Sequence, residues 1–195
     1  MWPTMREGNI TYDVPSRLLK DRIILLMEEV TPQLSASIIC QLLFLEKEDP
    51  KAPIRIYINS PGGSVNDGLA IYDMMKHVSC PVETYCVGMA ASMAAILLMA
   101  GDKGRRYAMP NSVVMIHQPS GGCRGQASDI QIQAERIIEL KTKLNKIIQK
   151  STNLTPDEIT VYVERDTYIE PKKAKEWGII DEVVGEKNAE SQARS

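Results

Sequence analysis

The sequence predicts an α/β fold, and three observations carry the prediction. Strand-like and helix-like stretches alternate from residue 53 onward, the pattern of repeated β-α units around parallel strands. A long amphipathic helix fills much of the second half. The composition is globular, with 44% hydrophobic and 25% charged residues, which excludes a disordered chain. The 195 residues suit one domain, here 1–184. A chain of this size buries roughly 70% of the surface its unfolded form exposes and needs no disulfide or metal staple.

Taken in order, residues 1–16 are polar and carry two prolines. Thr31-Pro32 reads as an N-cap with proline at the first helical position, opening a helix to about Lys47 with Ile38, Leu42 and Leu45 on its apolar face. In PIRIYIN (53–59), Ile54, Ile56 and Ile58 alternate with Arg55 and Tyr57, a half-buried strand. Ser60-Pro61-Gly62-Gly63 ends it and leads into a helix finishing near His77. A second strand covers 82–86, and Gly88 is expected to turn it into an Ala-rich helix reaching about Ala100. A third strand pair is expected at 106–108 and 113–117. A glycine-rich stretch, 121–125, precedes a helix over about 128–150, where Ile130, Ala134, Ile137, Leu144 and Ile148 form one stripe. Thr155 to Glu158 is a capping-box start. A strand over 168–170, a short helix closed by Gly178 and a strand over 179–184 give a β-α-β ending, and the polar tail 185–195 is expected to fray.

Charge and cysteine usage narrow the function. With 23 Lys+Arg against 25 Asp+Glu and a net charge of −2, neither nucleic acid nor a membrane surface is an expected partner. Cys40, Cys80, Cys86 and Cys123 include no C-x-x-C pair, so they read as reduced thiols of a cytosolic protein rather than a zinc or redox motif. The opening MWPTMRE has no apolar h-region, so no signal peptide is expected. The weakly polar run 87–100 is too short for a membrane span. A soluble, cytoplasmic chain is expected.

Only two histidines exist. His77 ends a helix, where a cation complements the dipole. His117 ends an apolar strand and opens into a glycine-rich loop, the place where α/β proteins put reactive groups. Ser92 lies in Gly88-Met-Ala-Ala-Ser92-Met-Ala-Ala, a strand-to-helix junction flanked by small residues. A nucleophilic serine needs an exposed Oγ, small neighbours and a turn that aims the following N–H, here that of Met93, at the developing oxyanion. The pattern is not G-x-S-x-G, and an Ala-rich helix start is more often simple close packing. Ser60-Pro61-Gly62-Gly63 can present backbone N–H groups to an anion, or form a tight turn and nothing more. A carboxylate to orient the histidine has four candidates, Asp129, Asp157, Asp166 and Asp181, and composition gives no reason to prefer Asp166.

Taken together, SPGGSV (60–65), GMAASMAA (88–95), MPNSVVMIHQPSGG (109–122), ERD (164–166) and SRLLKDRIILL (16–26) resemble the Clp protease proteolytic subunits, over about residues 11–184. The resemblance implies Ser92 as nucleophile, His117 as base, Asp166 as orienting carboxylate, and the N–H groups of Gly63 and Met93 as oxyanion hole. It implies a crotonase-like ββα superhelix with a protruding "handle" helix (about 121–150) and an N-terminal axial segment (1–16). It implies two stacked seven-membered rings around a chamber, fed with unfolded proteins by a Clp-type AAA+ ATPase. Arg165 then resembles the family's ring-contact arginine, and the stripe of the long helix becomes an interface. No metal or organic cofactor is expected, and no G-x-x-x-x-G-K-[ST] marks a nucleotide site in this chain.

Some positions depart from the family pattern. The segment before Tyr12-Asp13 is short for a gating loop, and Pro15 stands where an aromatic is common. Arg55 and His77 fall in the region of the ATPase-docking clefts, whereas Tyr57 keeps the expected aromatic. One alternative is therefore a mainly structural or regulatory partner of a paralogue in a mixed double ring. Another is a crotonase-type acyl-CoA hydratase or isomerase, in which a serine triad has no task. A membrane-bound serine/lysine peptidase of similar fold is disfavoured by the presence of His117 and the lack of a membrane-spanning run.

Overall fold

The computed structural model describes residues 3–122 and 124–185. Among the described residues the architecture is mixed α/β with a mainly parallel sheet and seven helices. The polar opening segment forms an antiparallel hairpin, β1 (Thr4–Glu7) and β2 (Ile10–Asp13), turning at Gly8 with φ +62°. Asp13 then caps α1 (Val14–Lys20) by accepting from the Ser16 N–H at 2.8 Å.

The sheet core follows from alternation. In β3 (Ile23–Leu26), β4 (Ile54–Ser60) and the first half of β5 (Val82–Ala91), every second side chain is buried. Ile24, Leu26, Ile54, Ile56, Ile58, Val82 and Cys86 thereby face one core. Three helices close over them: α2 (Pro32–Glu48), α3 (Val65–His77) and α4 (Met93–Met99). Thr31 caps α2 through the Leu34 N–H, and Ile38, Leu42 and Leu45 are its buried face as expected. Every residue of α4 is buried, so the helix that follows Ser92 is held on all sides.

The opposite sheet face is only half covered. There Tyr57, Tyr85 and Tyr107 occupy paired register positions on β4, β5 and β6 (Arg106–Ala108) and stack at 4.7 and 4.6 Å between centroids. Such cross-strand aromatic pairs add to sheet stability beyond their burial.

The structure corrects the expected break at Gly88. The strand runs on to Ala91, and the helix starts only at Met93. Gly88, at φ +80°, makes a bulge instead of a stop: Ile58 pairs with Cys86, yet Ser60 pairs with Ala90. Asn59 Oδ1 fills the bulge by accepting the Met89 N–H at 3.2 Å. Past it, β5 leaves β6 and pairs with β7 (Val113–Ile116), which carries β8 (Thr167–Ile169) antiparallel on its far edge. The strand of 113–117 stops one residue earlier than expected, leaving His117 just beyond it.

The long helix α5 (Ala127–Ser151) has two characters. Leu144 and Ile148 of the expected stripe are in the core, while Ile130 is 39% exposed and Ile132 and Ile138 more so. α6 (Pro156–Tyr162) begins with the expected capping box at Thr155 and Glu158. After α7 (Pro171–Glu176), the expected last strand contracts to β9 (Glu182–Val183), paired with β6. Asp181 closes this edge: it accepts from Arg106 Nε at 2.9 Å, Arg106 Nη2 at 2.6 Å and the backbone N–H of Gly104 and Arg106. Arg106 is 4% exposed and also donates to the Ser151 carbonyl. No helix among the described residues is long and apolar enough to cross a membrane. Cys123 and the tail from residue 186 lie outside the described residues.

Candidate active site

At the end of β4, Ser60 turns its hydroxyl inward, donating to the Glu28 carbonyl and accepting the Gly62 N–H at 3.2 Å. Gly62 and Gly63 then take φ +91° and +144°, which favour glycine. The segment is stitched to Val30 as a parallel bridge: the Val30 N–H donates to the Gly62 carbonyl and the Ser64 N–H to the Val30 carbonyl. In a parallel bridge of that pattern the intervening N–H, that of Gly63, points away from Val30. Side chains are excluded here for a second reason. A Cβ on Gly62 would lie 2.6 Å from the Ala91 carbonyl, 2.7 Å from Ser92 Cβ and 2.9 Å from the Met93 nitrogen.

Ser92 is the other half of that close approach. It sits at φ +54°, ψ −122°, one of two described non-glycine residues with positive φ. For a non-glycine residue this is a strained conformation, of the kind held only where the surroundings over-determine it. Its N–H is fixed by the Met115 carbonyl at 2.8 Å, and its carbonyl accepts the Ala95 N–H. It precedes a helix but makes no side-chain cap, so its hydroxyl is not spent on the helix N–H groups. Met93 opens the helix, and its N–H therefore has no intrahelical acceptor.

The Ser92 hydroxyl meets His117 instead: Oγ lies 2.8 Å from Nε2. On the other side of the ring, Nδ1 lies 2.9 Å from Asp166 Oδ1. The histidine is part-buried, its side chain 24% exposed, while Asp166 is 56% exposed on the loop between α6 and β8. Antiparallel pairing of β7 with β8, with Ile116 opposite Thr167, brings the histidine-bearing and aspartate-bearing ends together across 49 residues.

The structure therefore joins Ser92, His117 and Asp166 in one chain of hydrogen bonds, with Met93 and Gly62 beside it and Gly63 bridged to Val30. The competing candidates lie elsewhere. His77 is exposed in the last turn of α3, Asp129 and Asp157 stand in the first turns of α5 and α6, and Asp181 is engaged by Arg106. Arg165 is exposed next to Asp166. Sequence reasoning passed over Gln118, Glu164 and Lys141, which tie the two loops to α5. Gln118 stands next to His117, a signal that adjacency alone supplies, but nothing local marks Lys141, 23 residues further on.

A serine hydroxyl on an imidazole whose far nitrogen meets a carboxylate is an arrangement able to carry out nucleophilic acyl transfer. The family of the chain agrees with hydrolytic chemistry. A family model described as Clp protease matches residues 6–187 of the 195. The chain belongs to the Clp protease family, and that membership makes it a peptidase.

Proposed function

We propose that the chain is the proteolytic subunit of a Clp-type protease, a serine endopeptidase that cleaves unfolded proteins. The observation that carries the proposal is the continuous contact from Ser92 Oγ through His117 to Asp166, at 2.8 and 2.9 Å. Neutral His117 takes the Ser92 proton at Nε2 as Oγ attacks a peptide carbonyl. Asp166 holds the other nitrogen as Nδ1–H, which fixes the tautomer and stabilises the imidazolium that forms. The oxyanion of the tetrahedral intermediate is held by the N–H groups of Gly63 and Met93, each such donor typically worth about 2.7–4 kcal/mol. His117 then protonates the leaving amine and activates the water that releases the acyl group. The bond cleavage uses only these groups, and ATP hydrolysis belongs to a separate AAA+ partner.

Assembly follows the family in this reading: rings of subunits, two of them stacked, with Arg165 and the exposed apolar half of α5 at the contact between rings. The exposure of Ile130, Ile132 and Ile138 supports a covered role for that face. The half-covered sheet face with Tyr57, Tyr85 and Tyr107 supports ATPase docking by this chain itself, although Arg55 on β4 and His77 at the end of α3 are polar. A mixed ring with a paralogue is the second reading, and those two polar residues are what favours it. The cytoplasm is the proposed location.

The deciding experiment is cleavage of a short fluorogenic peptide by the purified chain, with Ser92→Ala beside it. Short peptides need no unfoldase. Activity that vanishes in the variant is the expected result, and wild-type activity in Ser92→Ala sinks the assignment. Silence from the wild-type chain that is broken only by adding a paralogue supports the mixed ring.

A further inference from the structure

Asp166 is more than half exposed on a loop, so its alignment with His117 has to be enforced from outside the pair. Part of the restraint is the pairing of β7 with β8, and part is the Thr167 side chain, whose Oγ1 donates to the Tyr162 carbonyl at 2.7 Å. The rest runs through Gln118. Its N–H donates to the Val163 carbonyl at 2.6 Å, and its side-chain Nε2 donates to the Glu164 carbonyl at 3.1 Å. The residue after the histidine thus grips the segment two residues before the aspartate. Gln118 Oε1 in turn accepts from Lys141 Nζ at 2.7 Å, and the same ammonium lies 3.6 Å from the Glu164 carboxylate.

An ammonium only donates and a carbonyl only accepts. Lys141 on one side and the Glu164 carbonyl on the other therefore dictate which way the Gln118 amide faces. With the ammonium removed, the amide oxygen loses its partner and the NH2 group is no longer aimed at Glu164. The ion pair with Glu164 is too exposed to hold the loop by itself. The charge-assisted bond to Gln118 is the stronger member of the set.

We propose that Lys141 is a positioning residue for the peptidase: from α5 it orients the Gln118 amide, which clamps the Asp166 loop to the His117 loop. This rests on the triad reading above, and the experiment separates the two. Full-length Lys141→Met, Lys141→Arg, Gln118→Leu and the double variant Lys141→Met with Gln118→Leu are compared with Lys143→Met, an exposed lysine on the same helix. The readouts are kcat and KM for a short fluorogenic peptide, the rate at which a fluorophosphonate labels Ser92, and elution volume.

Lys141→Met is expected to lower kcat by about ten- to a hundred-fold with KM nearly constant, because a displacement of around 1 Å costs about that much. Fluorophosphonate labelling should slow in proportion. Lys141→Arg should recover most of the loss, Lys143→Met should match wild type, and the double variant should be no slower than the worse single one, since both act in one unit. If Lys141→Met shifts the elution volume, Lys141→Gln is read in its place. Unchanged kcat and labelling rate, equal loss in Lys141→Arg, or additive losses overturn the clamp while leaving the triad intact. A wild-type chain that neither cleaves the peptide nor is labelled at Ser92, with or without an added paralogue, refutes the triad and the clamp with it.

Discussion

Gly62→Ala tests the close approach of the Gly62-Gly63 segment to the Ser92 turn. The added methyl would stand 2.6 Å from the Ala91 carbonyl and 2.9 Å from the Met93 nitrogen. Ordinary contact begins near 3.4 Å, so either the Gly62 segment or the end of β5 must retreat by about 0.8 Å. The left-handed backbone at φ +91° adds strain of about 1–2 kcal/mol, and overpacking typically adds about 1–3 kcal/mol. The sum, about 2–5 kcal/mol, is large against a usual stability of about 5–15 kcal/mol but leaves the chain folded. The retreat separates Gly63 from Met93, and a misplacement of that size costs about a hundred-fold in rate. The assay is kcat/KM for a fluorogenic peptide, with thermal unfolding measured alongside. Gly104→Ala is the control, because its φ of +84° imposes strain while its Cβ would meet nothing within 4 Å. A folded Gly62→Ala with wild-type kcat/KM would refute the view that Gly63 and Met93 work as a pair at a fixed separation.

Three further outcomes are expected. His117→Ala and Asp166→Asn should each cost several decades in kcat, and the double variant should be no worse than His117→Ala alone, as single and double rate measurements would show. Burial by itself raises the Asp181 carboxyl, but the hydrogen bonds and charge of Arg106 and the two backbone N–H groups outweigh it and hold it below its ordinary 3.8. Its contribution is therefore complete above that value and is lost as pH falls below it. Asp181→Ala should cost about 3–5 kcal/mol in urea unfolding at pH 7, where it strands Arg106, with the gap to wild type narrowing below pH 4. Burial pushes the Cys86 thiol up to about 11, whereas Cys40 is exposed. Peptide mapping after alkylation of the folded chain at pH 8 should find Cys40 modified and Cys86 untouched.

Legibility in the sequence was greatest where the governing interaction is local. The capping residues Thr31 and Thr155, the alternation of Ile54, Ile56 and Ile58, and the stripe at Leu144 and Ile148 each announce themselves within a turn or two, and each is found as expected. Gly88 escapes local reading because a glycine after a strand signals a stop, a turn or a bulge alike. Only the partner Asn59, on another strand, decides which. The hairpin of β1 and β2 left no apolar alternation to read, since all four residues of β1 are exposed. The three triad candidates were visible as motifs, but their union depends on β7 meeting β8, a pairing across more than 50 residues that periodicity cannot express. The same holds for Arg106 and Asp181, 75 residues apart.

That last separation has a consequence in time. At a synthesis rate of about 5–20 residues per second, Asp181 follows Arg106 out of the ribosome by about 4–15 seconds. During that interval β6 has a guanidinium with no carboxylate to receive it, and burying it alone would be costly. The edge of the sheet that holds β6 therefore stays open on the growing chain, while the pairing of β3, β4 and β5 can already form. Asp166 precedes Asp181, so the last partner of His117 emerges before the sheet can close behind it. In this order Ser92, His117 and Asp166 have all been synthesised while the sheet edge at β6 still waits for its carboxylate.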